Sequence, residues 1–544
     1  MYHVTNQPPP LEPINLFNSD AALSEALVRE KAQWAENELS DLGSLLGSAE
    51  TLQLGFEANR NPPVLHSFDR FGHRLDEIDF HPAWHELIKI AVTAGLHSSP
   101  WMSPRPGAHV ARAAGTYMLV QSEAGVYCPI AMTYASVPTI KRNQAVADRW
   151  LPLIFTRTYD KRFAPPSDKR GALVGMSMTE NQGGSDLRTN TTWAEPDGGM
   201  GDGWFRLTGH KWFLSAPMCD AFLVLAQTAQ GPSCFLVPRW TPDGKRNRIE
   251  ILRLKDKLGN RSNASSEVAF SDTFGELLGE LGRGIPTIIE MANYTRLDCV
   301  IGTAGLMRQA TAQAIHHASH RTAFNKKLIE HDLMVSVLAD LALESEAAGA
   351  LAMRLARAYD SQNDEKSSVF RRIVTPAAKF WICKRGAFLA QEAMEVLGGN
   401  GYVEESVLPR IYREMPLNSI WEGSGNVMCL DVLRALERIP RAAEILLDEL
   451  DAVASMDKRL DCVTERLRQR LFAKDREGEA QARSLSREIV LAIQAALLIE
   501  HAPPAVADGF LASRFGDAAG CAFGLLPHGV DVQTIVRRAS PWSR

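Results

Sequence analysis

Apolar residues recur at helical spacing through much of the first part of the chain. The pattern covers residues 20–59, 83–96 and 110–126, and a repeat of three to four residues is typical of a helix with one buried face. The proline-rich residues 1–17 precede these patterns and predict an extended arm. We therefore expect residues 1–165 to form an arm followed by a helical domain.

The spacing changes in the middle of the chain. Between Leu173 and Phe274, short apolar runs of β type are separated by turn clusters such as Asp197–Gly199. This pattern predicts a compact antiparallel β domain over residues 166–280. The predicted strands include Leu173–Met176, Trp204–Leu207, Phe222–Leu225 and Cys234–Val237.

Helical periodicity returns after the β region. Residues 281–439 predict a helical bundle, with breaks at Asn325, Gly398 and Pro409. Residues 440–544 predict an extra α-helical domain, in which the apolar run 489–499 is too short to cross a bilayer. The predicted fold class is therefore α+β and mainly α, with one β domain between helical segments.

Composition excludes several classes of protein. The 544 residues are 45% hydrophobic and 23% charged, which is typical of a globular protein with several domains. A net charge of −5 argues against a protein that coats nucleic acid through its overall field. Eight cysteines without a C-x-x-C pair predict free thiols in a reducing compartment and no metal site. With no secretion signal at the start, we expect a cytoplasmic location.

Two segments of the β region carry candidate binding chemistry. The segment Met178–Asp186 combines two glycines with hydroxyl side chains, and such a loop lets backbone N–H groups approach a polar or anionic ligand. A tight turn between strands has the same composition, so the loop alone leaves both interpretations open. It matches neither a P-loop nor a Rossmann turn. The second segment, Leu207–Ser215, follows about 25 residues later.

Together these segments resemble the T-E-P-x-x-G-S-D loop and the G-x-K-x-W strand of acyl-CoA dehydrogenases, which hold the isoalloxazine ring of FAD. Asn181 stands where the family has proline, and Phe213 stands where it has a stacking tryptophan. Stacking needs only an aromatic ring, so FAD binding is still expected. The resemblance implies flavin contacts from Met178, Thr179, Gly184, Ser185, Phe213 and Ser215.

The helical half contains two further family motifs. Residues 321–325 resemble R-x-x-F-G, with Asn325 in place of glycine, and residues 395–402 resemble Q-x-x-G-G-x-G-[YF]. In the family the arginine meets the FAD pyrophosphate of a neighbouring subunit, a task that suits the planar guanidinium. A lone helix arginine is otherwise more typical of a solvated surface. The implied cofactor residues here are Arg321, Phe324, Gly398 and Gly399.

The segment Trp421–Asn426 resembles the family motif Y-E-G-T-x-Q. The resemblance implies that Glu422 is the base that removes the α-proton of an acyl-CoA, a role that needs a desolvated carboxylate. A glutamate near a helix start is also typical of dipole complementation. Some relatives carry the base on an earlier helix, but Thr295 occupies that position here. The same motif implies that Gly423, Ser424 and Asn426 hold the flavin.

Several longer strings resemble the AidB-like, alkylation-response branch of the family, and the resemblance runs from about Asn6 to Arg438. That branch implies a homotetramer that keeps FAD, binds double-stranded DNA through its C-terminal extension, protects DNA from alkylation and has weak isovaleryl-CoA-like dehydrogenase activity. The strings are Asn61–Pro63, Lys255–Ser265, Thr375–Phe380, Ile382–Gly386 and Asn418–Asn426.

Arg466, Arg468 and Arg470 are the candidate DNA contacts in the extension. Short basic clusters of this kind are more often solvated surface, and composition alone does not indicate DNA binding. The alternative function is an ordinary short-chain or branched-chain acyl-CoA dehydrogenase, or an acyl-CoA oxidase, without a role on DNA.

Overall fold

The chain forms two compact units in the computed structural model. The described residues are 3–199, 201, 203–361, 364–473, 478–516 and 522–542. The first unit comprises Met1–Ala49, Arg105–Ser122 and Arg296–Arg544, and the second comprises Glu50–Pro104 and Glu123–Thr295. The four domain boundaries expected from the sequence remain a prediction, because this division into units does not test them.

The predicted helical patterns of the first part of the chain are helices. Asp20 begins the first of them by accepting a hydrogen bond from the Leu23 N–H at 3.1 Å, the usual N-cap contact. The helices are α1 (Ala21–Arg29), α2 (Glu36–Leu46), α3 (Ala49–Arg60), α4 (Pro82–Thr93), α5 (Ser99–Met102), α6 (Ala108–Ser122), α7 (Tyr127–Ile140) and α8 (Gln144–Ile154).

A hairpin interrupts these helices, and the sequence pattern did not predict it. Strands β1 (Val64–Phe68) and β2 (Arg74–Asp79) pair antiparallel. Asp69 closes the turn, since its carboxylate accepts the N–H groups of Phe71 and His73, each at 2.8 Å. An Asp-initiated turn between alternating residues was the available signal.

The second unit contains a seven-stranded sheet, ordered β3-β6-β4-β5-β9-β7 with β8 beside β9. The prediction of an antiparallel domain was wrong in one respect, because β3 and β4 pair parallel with β6. The long connection from β3 through residues 178–220 returns the chain in the same direction, as a parallel pairing requires. The strands are β3 (Val174–Ser177), β4 (Trp193–Pro196), β5 (Trp204–Ser215), β6 (Ala221–Thr228), β7 (Gly231–Pro238), β8 (Ile249–Leu254) and β9 (Ser265–Leu278).

Helices and one small hairpin make up the rest of the chain, so the predicted mainly-α class with a central β region is confirmed. None of the helices within the described ranges is long and apolar enough to span a membrane. The elements are α9 (Gly284–His320), β10 (Thr322–Ala323), β11 (Lys326–Lys327), α10 (Asp332–Asp360), α11 (Glu365–Leu397), α12 (Gly399–Tyr402), α13 (Val407–Asn418), α14 (Gly425–Arg438), α15 (Ala442–Asp451), α16 (Lys458–Phe472), α17 (Ala482–His501), α18 (Pro504–Phe515) and α19 (Val532–Ala539). Short 3₁₀ turns cover Gln33–Ala35, Pro166–Asp168, Leu187–Thr189, Leu328–Glu330 and Glu479–Gln481.

The expected break at Pro409 is not a break. Pro409 lies in the first turn of α13, where a helical N–H has no intrahelical partner and proline is therefore tolerated. The expected breaks at Asn325 and Gly398 are present, since α9 ends at His320 and α11 ends at Leu397. The apolar run 489–499 lies within α17, as predicted for a buried helix.

We predict that buried His109 makes the folded state sensitive to acid. Burial lowers its pKa to about 3, and the charges of Arg112 and Arg371 act in the same direction. In the unfolded chain a histidine titrates near about 6.5. The unfolded state therefore binds a proton first, and the free energy of unfolding should fall by about 2 kcal/mol between pH 7 and pH 5 from this group alone.

Urea unfolding at a series of pH values tests this prediction on the wild type and on His109→Gln. The variant should lose that part of the acid sensitivity. The exposed His528 provides a control, because His528→Gln should keep the wild-type dependence. Equal pH dependence in wild type and His109→Gln would contradict the assignment.

Candidate functional site

The predicted flavin contacts fall in both units and are described for each unit in turn. In the second unit, a buried ion pair supports the loop Met178–Asp186. Glu180 Oε1 accepts from Lys211 Nζ at 2.7 Å, and neither side chain is exposed. Burial alone would raise the pKa of Glu180, but the Lys211 ammonium and hydrogen bonds from Thr191 and Thr192 lower it well below its usual range. The acidic and basic members of the two motifs are therefore a structural clasp.

The loop is also attached directly to strand β5. The Trp212 N–H donates to the Thr179 carbonyl at 2.9 Å, and the Asn181 N–H donates to His210 Nε2 at 3.2 Å. The family's proline lacks this N–H, so the departure at Asn181 adds an attachment. A side chain at Gly184 would lie 2.6 Å from Thr179 Oγ1, too close for any residue but glycine.

A β-bulge in β5 turns Phe213 outward. The register of β5 with β9 shifts between Lys211 and Leu214, and a bulge of this kind redirects a side chain. The Phe213 ring is 44% exposed, and Lys255 Nζ lies 4.7 Å from its centroid. Two residues further on, no hydrogen bond from the described residues engages the Ser215 hydroxyl. The exposed ring and this hydroxyl are what the predicted flavin contacts require.

In the first unit, Arg321 precedes the hairpin β10–β11. The hairpin turn places Phe324 at φ 51° and Asn325 at φ 62°. Two left-handed central residues are the requirement of a type I′ turn, and asparagine tolerates that conformation where the family has glycine. Phe324 is 91% exposed. No carboxylate among the described residues pairs with Arg321, which leaves its charge available for an anionic ligand.

The glycine turn after α11 depends on backbone freedom. Gly398 has φ 60° and ψ −140°, a region that only glycine enters readily. Gly399 follows as the first residue of α12, and nothing lies within 4 Å of the position that a side chain at either glycine would occupy. The turn is open on the side where the cofactor is expected.

Glu422 lies in the turn that joins α13 to α14. Its backbone has φ 60°, a left-handed conformation that costs energy for a residue with a side chain. Such strain persists only where surrounding contacts hold the backbone, and it is concentrated at functional sites. The side chain is half-buried. The predicted base therefore sits in a held, strained turn, not in a regular helix start.

Two buried cations hold this turn. Lys379 Nζ donates to the carbonyls of Asn418 at 3.0 Å and Gly423 at 2.9 Å, and Arg296 Nε donates to the carbonyl of Glu422 at 3.0 Å. Both cations are nearly inaccessible to solvent. The sequence did not identify either as a supporting residue. The only signal for Lys379 was its place in a string shared with the family branch.

The C-terminal helices reach the start of α14. Arg483 in α17 donates from Nη1 to Asn426 Oδ1 at 3.0 Å, and Ala482 packs into a buried cluster with Phe380, Met428 and Cys429. Asn426 is a predicted flavin contact, while Ser424 caps the same helix and is exposed. The region after residue 440 therefore supports the flavin turn directly.

The three predicted DNA-contact arginines have acidic partners. Arg466 Nε lies 2.5 Å from Glu488 Oε1, Arg470 pairs with the other oxygen of Glu488, and Arg468 Nη2 lies 2.7 Å from Asp451 Oδ1. The pairs with Glu488 join α16 to α17. Contact with a phosphate would have to compete with these carboxylates.

Three protein-family models match the chain. They are the adaptive response protein AidB N-terminal domain over residues 6–161, the acyl-CoA dehydrogenase middle domain over residues 175–273, and the acyl-CoA dehydrogenase C-terminal domain over residues 282–437. Among curated proteins, "Putative acyl-CoA dehydrogenase AidB" of Escherichia coli is 49% identical over 509 residues, which cover 93% of each chain. Acyl-CoA dehydrogenase family member 11 of Caenorhabditis elegans is 29% identical over 89% of this chain and 83% of its own.

Solved structures agree with this relationship. The apo-form of Bd2924 superposes with a TM-score of 0.84 at 29% identity, covering 92% of this chain and all of its own. Caenorhabditis elegans ACDH-11 in complex with C11-CoA has a TM-score of 0.83 at 25% identity, covering 99% of this chain and 92% of its own. The chain therefore belongs to the AidB-like branch of the acyl-CoA dehydrogenases, a family of FAD-dependent oxidoreductases.

Proposed function

We propose that this protein catalyses FAD-dependent α,β-dehydrogenation of an acyl-CoA thioester, with Glu422 as the base. The observation that carries the proposal is the strained Glu422 turn, which Lys379 and Arg296 hold from both sides. A turn without a catalytic task would gain stability by relaxing to an ordinary conformation.

The chain's residues and the cofactor would divide the chemistry. Glu422 would take the α-proton of the thioester while the β-hydrogen leaves as hydride, so that the Cα–Cβ single bond becomes double. FAD, when bound, supplies the acceptor for that hydride. The Glu422 N–H would donate to the thioester carbonyl, where negative charge develops as the proton leaves.

The cofactor would be held by residues of both units. In the second unit, the Phe213 ring offers a stacking surface, and Ser185 and Ser215 offer hydroxyl groups. In the first unit, Arg321 suits the pyrophosphate, and Phe324 with the glycine turn suits the rest of the dinucleotide. These roles, and those of Met178, Thr179, Gly423, Ser424 and Asn426, belong to the proposal.

Short branched thioesters such as isovaleryl-CoA are the proposed substrate class, with weak turnover. The relationship to ACDH-11, whose structure holds C11-CoA, supports an acyl-CoA in general. Anaerobic mixing of the purified protein with a panel of acyl-CoAs tests the class. Loss of the oxidised-flavin absorbance supports the proposal, and a flavin that stays oxidised with every thioester contradicts it.

As a second function we propose binding of double-stranded DNA and its protection from alkylation. The support is the 93% coverage of the match to AidB, which must extend well beyond residue 437, where the family models end. An ordinary dehydrogenase or oxidase without a DNA role is the alternative. The ion pairs of Arg466, Arg468 and Arg470 make this proposal the weaker of the two in geometry.

We predict that any DNA binding through these arginines weakens steeply with salt. Each phosphate contact contributes about 0.9 to the slope of log affinity against log salt concentration. Arg468→Gln, which leaves the interhelical pairs with Glu488 in place, should therefore lower the slope by about 0.9. Fluorescence anisotropy of a short labelled duplex, titrated at several salt concentrations, measures both slopes.

Lys458→Gln is the control, because Lys458 is an exposed cation at the start of the same helix. An unchanged slope in Arg468→Gln would remove Arg468 from the DNA surface. Wild-type binding that does not respond to salt, or no binding, would contradict the DNA proposal itself. Deleting the tail is a poor test, since it would expose the Phe380–Met428–Cys429 cluster.

A homotetramer and a cytoplasmic location complete the proposal. Large apolar side chains are strongly exposed in the first unit, among them Phe324 at 91% and Leu333 at 85%, and a subunit interface would cover such residues. The seven described cysteines are free, six of them buried and Cys462 exposed, which suits a reducing compartment. Cys521 lies outside the described residues.

A further inference from the structure

The N-terminal arm contacts the residues proposed to bind the dinucleotide end of FAD. Asn6 Nδ2 donates to the Thr322 carbonyl at 2.7 Å, and the Thr322 N–H donates back to Asn6 Oδ1 at 2.8 Å. The adjacent Arg321 donates from Nη1 to the Asn6 carbonyl at 2.5 Å. One asparagine thus joins the backbone of the hairpin to the guanidinium beside it.

The next residues of the arm extend this attachment in both directions. Asn400 Nδ2 donates to Gln7 Oε1 at 3.0 Å, which links the arm to the glycine turn. His316 Nε2 donates to the Pro9 carbonyl at 2.7 Å, while its Nδ1 accepts from Trp542 Nε1 at 3.3 Å. Both contacts require the same tautomer of His316. The arm is therefore fastened to α9 on one side of Arg321 and to α12 on the other.

The backbone at Asn6 shows that this geometry is specific. Asn6 has φ 56°, which asparagine tolerates better than most residues with a side chain. The residue lies at an exposed position, where burial of apolar surface does not explain its conformation. Its reciprocal pair of hydrogen bonds to Thr322 holds it there.

We propose that Asn6 and Gln7 are positioning residues for FAD, which hold Arg321 and the glycine turn ready for the phosphate and adenosine groups. The inference rests on the proposed cofactor roles of Arg321, Gly398 and Gly399. A long arginine side chain loses rotamer freedom when it binds a phosphate. The Asn6 carbonyl restricts the guanidinium before the ligand arrives, so that less of that entropy is lost on binding.

Reconstitution of the full-length apoprotein tests the proposal. Quenching of flavin fluorescence measures the dissociation constant of FAD, and competition by ADP measures affinity for the dinucleotide end alone. Asn6→Gly keeps the left-handed backbone accessible but removes the amide, and Gln7→Ala removes the link to Asn400. We expect Asn6→Gly to raise both dissociation constants about ten-fold and Gln7→Ala to raise them less.

Asn61→Gly is the matched control, because Asn61 is also exposed and makes a side-chain hydrogen bond to a backbone carbonyl, that of Glu57. It should leave both constants unchanged. The melting temperature and oligomer mass of each apoprotein are measured in the same samples. Weaker FAD and ADP binding by Asn6→Gly, with unchanged apoprotein stability and mass, supports positioning.

Two other outcomes separate the possible failures. If Arg321→Ala weakens FAD binding while Asn6→Gly and Gln7→Ala do not, the arm has no positioning role and the cofactor site stands. If Arg321→Ala leaves the FAD constant unchanged, the proposed site itself is wrong. A loss of apoprotein stability in Asn6→Gly that accounts for the whole change in affinity would make the arm a purely structural element.

Discussion

Glu422→Gln should reduce the rate of flavin reduction by an acyl-CoA about 10³-fold while leaving the protein folded and yellow. Glutamine has nearly the same shape but cannot accept the α-proton at its amide, and removal of a general base typically costs about 10² to 10⁴ in rate. The contacts that hold the turn come from Lys379 and Arg296 to backbone carbonyls, so the substitution leaves them in place. Anaerobic stopped-flow absorbance measures the rate.

Glu437 provides the matched control for this experiment. It is an exposed carboxylate on α14, the helix that begins just after Glu422. Glu437→Gln should reduce the flavin at the wild-type rate. If Glu422→Gln reduces its flavin as fast as the wild type, another residue is the base, and the strained turn needs a different explanation.

Arg112→Ala should lower the free energy of unfolding by about 4 kcal/mol. The Arg112 guanidinium donates to both oxygens of Asp298, at 2.5 Å and 2.9 Å, and each side chain is at most 2% exposed. Removing the arginine leaves the Asp298 carboxylate buried without its main counter-charge, which typically costs about 3 to 5 kcal/mol. Urea unfolding followed by circular dichroism measures the change.

An exposed ion pair in the same unit supplies the comparison. Lys366 Nζ lies 2.8 Å from Asp448 Oδ2, with both side chains largely in solvent, and Lys366→Ala should change stability by about 1 kcal/mol or less. The double variant Arg112→Met with Asp298→Leu should be much less destabilised than Arg112→Ala, because no charge stays buried. A small effect of Arg112→Ala would show that the buried pair is not a stability determinant.

The local features of the site could be predicted because they depend on few neighbouring residues. The apolar periods of α4 and α17 are visible in the sequence because a helix repeats its buried face every three to four residues. The break before Phe324 and the turn at Gly398 were predicted for a similar reason, since unusual backbone angles restrict the residue types that fit. The family motifs identified Glu422 on the same local basis.

Other features depend on partners far away in the chain. Lys379 reads as one residue of a helix, and only the fold brings its ammonium to the carbonyls that flank Glu422. Asn6 reads as part of a proline-rich start, yet it bonds to Thr322. The parallel pairing of β3 with β6 was missed because an apolar strand does not specify the direction of its neighbour.

The sequence by itself determined the types of most elements, the order of helical and β regions, and the motif residues expected around FAD. Tertiary structure decided how those residues are held: the strain at Glu422, the outward turn of Phe213 and the clasp between Glu180 and Lys211. It also gave the arginines of α16 acidic partners. The reason is that periodicity and turn chemistry are local, whereas hydrogen bonds and ion pairs depend on which distant segments meet when the core packs.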